Sequence, residues 1–197
     1  MEKLESIDRW IVSAINSWNS PFLDEVMWLI SAKLIWIPLY VLLIVLFAKT
    51  NNLKKSVLFV LMAVLVVAIT DQVSVHLFKN IFLRYRPSHN SLLTENLHFY
   101  KFENGEFYKG GMYGFVSSHA ANFFGVLTFA WFALRQNFSK LWMLLFPVAL
   151  IVCFSRIYLG VHYFSDVLVG GILGVLAAFF VFKFIFMPII EKDYFQK

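Results

Sequence analysis

The sequence predicts an all-α fold, a polytopic membrane helix bundle of five spanning helices preceded by an amphipathic helix. Of 197 residues, 60% are hydrophobic and only 15% charged. Mean hydropathy is +0.71, and several apolar runs approach the roughly 20 residues that cross the hydrocarbon core of a bilayer. A soluble protein with greasy helices does not account for runs of that length. The length suits one domain, and no repeat, low-complexity tract or linker divides it, so residues 1–197 read as a single integral-membrane unit.

The elements follow in order. Over residues 1–20, Leu4, Ile7, Ile11, Ala14, Ile15 and Trp18 recur at three- and four-residue spacing with Glu5, Asp8, Arg9 and Asn16 between them. That period describes an amphipathic helix lying in the membrane interface. No basic stretch leads into a continuous apolar core, so a cleaved secretory signal is not expected. Spanning helices are expected over Met27 to Ala48, Val57 to Phe78, Ala120 to Leu134, Leu141 to Phe154 and Val167 to Met187, with Pro21, Pro87 and Pro188 marking their margins. Residues 88–116 form the long loop between the second and third.

Charge sets the orientation. Lys49, Lys54 and Lys55, then Arg135 and Lys140, then Lys192 and Lys197 fall on one side of a five-helix bundle, which the positive-inside rule assigns to the cytoplasm. The formal charge of +5 is spread between apolar segments, and no basic soluble domain exists to bind nucleic acid. Cys153 is the single cysteine, so neither an intrachain disulfide nor a cysteine metal cluster is available.

The informative polar residues gather in three stretches at the ends of apolar runs: Lys79 to Pro87, Ser117 to His119, and Ser155 to Asp166. All three fall on the side opposite the other cations, where Lys79, Arg84, Arg86 and Arg156 breach the charge rule unless they have a task there. Lys79, Arg86 and Arg156 suit an oxyanion. His119 and His162 suit a proton donor and a nucleophile, and Asp166 follows His162 by four residues, on the same face of a helix. A phosphate ester presented at a membrane is the substrate such a set fits.

Written as patterns, Lys79 to Pro87 is K-x6-R-P and Ser155 to Asp166 is S-R-x5-H-x3-D. With Ser117 and His119 between them, the chain resembles the type 2 phosphatidic acid phosphatase superfamily. The middle motif departs twice from that family's P-S-G-H, with Val116 for proline and Ser118 for glycine. The amphipathic start and five apolar runs resemble the compact bacterial members.

The resemblance implies a lipid phosphatase without metal or other cofactor. His162 would attack phosphorus to give a phosphohistidine, and Asp166 would hold its imidazole in the productive tautomer. His119 would protonate the leaving oxygen and later activate water. Lys79, Arg86 and Arg156 would bind the phosphoryl oxygens, with Ser117 and Ser118 adding donors, while Gly110, Gly111 and Gly114 let the backbone bend around the anion. Among substrates of the family, the resemblance to the compact members implies undecaprenyl diphosphate first, with phosphatidylglycerophosphate, phosphatidate and lipid A phosphates close behind. The implied setting is the bacterial inner membrane with the site on the periplasmic face.

Each feature also has a structural reading. A His/Asp pair four apart satisfies itself with one hydrogen bond. Lys79, Arg84 and Arg86 can snorkel at a helix end, Arg156 can anchor an interface, and Ser117 or Ser118 can cap the next helix. Asp71 and His76 are expected to pair inside the bundle, Asn122 to bond between helices, and Gly170 and Gly174 to let two helices pack closely. In the loop, His89, Glu95, His98, Glu103 and Glu106 match no familiar metal-ligand spacing, and the aromatics from Phe99 to Phe115 suit a lid or a lipid entry wall. A non-hydrolytic phospholipid binding or transport protein and a structural partner in an envelope complex are the alternatives. Nothing in the sequence sets the oligomeric state.

Overall fold

A computed structural model describes residues 2–195. Among them the chain forms seven helices and no strands. The first, α1 (Glu2–Asn16), is amphipathic, with Leu4 and Trp10 outward and Val12 buried. Its polar residues are divided: Asp8 and Asn16 turn inward and are buried, where the sequence pattern placed them on the wet face. Asn16 explains its own burial, donating to the carbonyls of His98 and Tyr158 at 2.7 Å each.

Helices α2 (Pro21–Ser31) and α3 (Leu34–Ala48) correct the first expected span. They are two helices bent by 67° at Ala32 and Lys33. Ser20 caps α2 by accepting from the Leu23 amide at 3.3 Å, with Pro21 at the first position, where its missing N–H costs nothing. The span therefore starts six residues earlier than hydropathy suggests and breaks where Ala32 turns extended.

Helix α4 (Leu53–Phe82) is capped by Asn52, which accepts from Lys55 N at 3.0 Å. It changes to π register over Ser74–Lys79, a local widening that recurs at functional sites. Helices α5 (Ser118–Leu134), α6 (Ser139–Tyr158) and α7 (Phe164–Lys192) complete the bundle. Pro188 does not end α7. Val181–Phe186 has already shifted to π register ahead of it, so the proline nitrogen enters a ladder whose pairing has been reset.

Among the described residues three helices (α4, α6 and α7) are long and apolar enough to cross a membrane, and the bent α2–α3 pair passes the same test of length and composition only when its two halves are taken together. At 17 residues, α5 lies at the short end of the spanning range. It packs against α4, α6 and α7. The closest approach is to α7, where a Cβ on Gly174 would stand 2.3 Å from the Ala121 carbonyl oxygen and one on Gly170 2.6 Å from that of Ser117. Glycine therefore sets the separation of these two helices. Leu43, Phe47, Phe59, Val66, Phe129 and Phe186 fill the core between α3, α4, α5 and α7. Leu168, Ile172, Phe180 and Phe184 remain exposed on α7, as a lipid-facing surface requires.

Candidate active site

The three polar stretches meet. Lys79, at the end of the π segment of α4, donates from Nζ to Ser118 Oγ at 2.6 Å. Ser117 N donates to the Asp166 carbonyl at 2.9 Å, tying the start of α5 to the start of α7. Arg86 donates from Nη1 to the Val161 carbonyl at 3.3 Å and from Nε to that of Tyr113 at 3.2 Å. Loci far apart in the chain therefore form one polar cluster at the ends of α4, α5, α6 and α7.

Each side chain is positioned by a local device. Ser117 caps α5, accepting from Ala120 N at 3.4 Å, and so fixes where His119 stands in the first turn. Ser118 shares its hydroxyl with Ser74 at 2.7 Å, so this serine, in the position where the resembled family has glycine, holds Lys79. Arg156, in the last turn of α6, is 2% exposed. It donates from Nη1 to Ser31 at the α2–α3 break and from Nη2 to Tyr108 Oη at 2.8 Å, which leaves its buried Nε without a partner among the described residues. Ser31 carried no signal in the sequence and Tyr108 only that of a loop aromatic suited to a lid, since each meets Arg156 through the tertiary fold.

His162 lies in the turn between α6 and α7, its Nδ1 3.4 Å from Asp166 Oδ2. Burial pushes its pKa well below the ordinary value, and the charges of Arg86 and Arg156, then His119 and Lys79, push it the same way. The ring is therefore held in its neutral form, with Nε2 the nitrogen turned away from Asp166. Asp166, fully buried, also accepts from Tyr163 N at 3.0 Å, capping α7 as it orients the ring. Arg86 is lowered to about 10, by burial first and then by Arg156.

Arg84 corrects the sequence reading. It is not a snorkelling side chain: it donates from Nη1 to Asp166 Oδ1 at 2.9 Å and to Ser165 Oγ at 2.7 Å, and from Nη2 to Asp8 Oδ2 at 2.7 Å. Burial alone would lower its pKa, but Asp166 and Asp8 outweigh burial and raise it.

The loop glycines fall into two groups. Gly110 takes a positive φ of 66° with Arg86 Nη1 2.7 Å from where its Cβ would stand, and a Cβ on Gly114 would meet Asp166 Oδ2 at 2.9 Å. Gly111 faces open space. Asp71 and Asn122 pair as expected, with Asn122 donating to Asp71 Oδ1 at 3.0 Å and accepting from Thr70 at 2.5 Å. The loop aromatics pack rather than dangle: Tyr100 stacks on Trp28 of α2 at 4.7 Å, with Phe102 and Tyr108 edge-on to the same ring. Among the described residues no three His, Cys, Asp or Glu side chains gather as a metal-ligand set.

A cavity of about 310 Å³ opens between α3, α4 and α5. Its walls are mostly apolar, with Leu43, Val60 and Phe123 among them, and Lys33, Tyr40, His119 and Asn122 bring polar groups to it.

Residues 57–189 match the family model described as the PAP2 superfamily. A lipid A 4'-phosphatase of Porphyromonas gingivalis is 36% identical over 93% of this chain and 75% of its own length. A lipid A 4'-phosphatase of Bacteroides thetaiotaomicron is 32% identical over 88% of this chain and 75% of its own. The crystal structure of a transmembrane PAP2-type phosphatidylglycerolphosphate phosphatase from Bacillus subtilis superposes with a TM-score of 0.70 at 25% identity, covering 93% of this chain and 87% of that one.

Proposed function

This chain belongs to the PAP2 superfamily, and on that premise we propose that it removes phosphate from lipid A at the outer face of the bacterial cytoplasmic membrane. It is an integral-membrane lipid phosphatase, a hydrolase of phosphoric esters. The observation that carries the assignment of roles is a buried His162 with its Nδ1 3.4 Å from the buried Asp166 carboxylate, in the polar cluster that Lys79, Arg86 and Arg156 join, the arrangement a nucleophile for a dianion needs.

In the first step His162 Nε2 forms the N–P bond while the P–O bond to the lipid breaks. The departing oxygen takes the electron pair of that bond and a proton from His119. Asp166 stabilises the charge that the ring acquires. Lys79, Arg86 and the unpartnered Nε of Arg156 neutralise the oxygens of the transferring group, which is where phosphoryl transfer gains most of its rate. In the second step His119 takes a proton from water, the hydroxide attacks phosphorus, the N–P bond breaks and inorganic phosphate leaves. The apolar cavity that reaches His119 suits an acyl chain, at roughly 0.8 kcal/mol per buried CH₂.

Two similar lipid A 4'-phosphatases support lipid A as the substrate. Sidedness is supported by the ends of the helices: on α4, α5 and α6 the basic connectors Lys54, Arg135 and Lys140 lie at the ends opposite Lys79, His119 and Arg156. The test is phosphate release by purified protein in chelator from lipid A, phosphatidate, phosphatidylglycerophosphate and undecaprenyl diphosphate, alongside His162→Ala. The expected result is the highest kcat/KM on lipid A and none with the variant. Release from another lipid alone would overturn the substrate, and full activity of His162→Ala the roles.

A further inference from the structure

We infer that Asp8, on the N-terminal interfacial helix, is a positioning residue for catalysis, acting through Arg84 to set the carboxylate that orients His162. The inference rests on the reading of Asp166 as the partner of the nucleophile. Asp8 is 5% exposed, on the inner face of a helix whose outer face carries Leu4 and Trp10. A buried carboxylate is costly unless paired, and Asp8 is fully paired. Its Oδ2 accepts from Arg84 Nη2 at 2.7 Å and from the Ser165 hydroxyl, and its Oδ1 accepts from Ser165 N at 3.0 Å.

The geometry gives Arg84 no slack. One arm of its guanidinium is held by Asp8, the other reaches Asp166 Oδ1 at 2.9 Å, and its plane lies over the Tyr163 ring at 4.2 Å. Arg84 makes the arginine ion pair to the fully buried Asp166. With Oδ1 bound by Arg84, Oδ2 is turned toward His162 Nδ1. Removal of Asp8 leaves Arg84 Nη2 unanchored and frees a side chain that is one-quarter exposed (24%) to rotate away from Asp166. It also strips an acceptor from Ser165 N, one of the first free N–H groups of α7, at the helix start that carries Asp166. Partners bonded directly to a group that does chemistry typically change rates about 10- to 100-fold, and Asp8 acts one step further out, through Arg84 and then Asp166.

Phosphate release is measured for the full chain in detergent micelles with Asp8→Asn, Asp8→Glu, Arg84→Ala and the double variant Asp8→Asn/Arg84→Ala, with melting of each followed in parallel. The expected result is a fall in kcat of about tenfold for Asp8→Asn with KM within about threefold. Asp8→Glu recovers part of it, and the double variant is no slower than Arg84→Ala alone. Wild-type kcat in Asp8→Asn, or losses that multiply in the double variant, would overturn the inference, as would a loss confined to melting temperature. An active wild type inactivated by His162→Ala is the control, so failure of the underlying roles is distinguished from failure of this one.

Discussion

Gly114 stands directly against Asp166: a Cβ built on it would come within 2.9 Å of the carboxylate Oδ2, the oxygen facing His162, and 3.1 Å of Arg86 Cγ. Even a methyl group must displace either the carboxylate or the arginine. Gly114→Ala is expected to lower kcat about tenfold or more while the protein still purifies as a folded species, because the loop lies outside the helix core. Unchanged phosphate release would show that the carboxylate has room to move without consequence.

Stability answers to a different glycine. Gly174 approaches the Ala121 carbonyl oxygen so closely that any side chain forces α5 and α7 apart. Gly174→Val is expected to cost about 1–3 kcal/mol or more by overpacking, read as a lowered melting temperature in detergent. A melting temperature equal to wild type would contradict the packing described.

Ser118 replaces a glycine of the resembled motif yet holds Lys79 at 2.6 Å. A hydrogen bond to a charged group is worth about 1.5–3 kcal/mol, so Ser118→Ala is expected to lower kcat/KM about tenfold. Ser118→Gly, which restores the family's residue, is expected to do the same. Higher activity in Ser118→Gly would mean that backbone approach matters more than the Lys79 contact.

Acid should act on stability through His162. Its pKa in the folded protein lies well below the ordinary value, by burial first and the neighbouring cations second, so the unfolded chain binds the extra proton. The stability of wild type relative to His162→Gln is therefore full above about pH 6.5 and falls as the pH drops below it. Melting temperatures of both proteins from pH 5 to 8 check the sign, and a constant difference would refute it.

Much of this was legible in sequence because the signals are local. The motif spacings bring Lys79, Arg156 and Asp166 to helix ends, though His162 lies in the turn before α7 and not on the helix face with Asp166 that the four-residue spacing suggested, and Arg86 in the loop after α4; the glycines at 170 and 174 announce a close helix contact that the structure contains. What was not legible depends on long-range pairing. Asp8 and Arg84 are 76 residues apart, and each alone looks like an ordinary interfacial charge. Hydropathy could not show the 67° bend at Ala32 and Lys33, because apolar residues flank it on both sides. Nor could it show that Ser31, at that bend, serves Arg156. Pro188 looked like a terminator because the π register that accommodates it leaves no composition signal.

The most direct test of the central claim is to quench the purified protein during turnover of radiolabelled lipid phosphate, under alkaline conditions that preserve phosphohistidine, and to map the labelled residue. The account predicts an acid-labile phosphoryl group on His162, absent in His162→Ala and accumulating in His119→Ala if the leaving group still departs. Label on another residue, or undiminished turnover in His162→Ala, would contradict it.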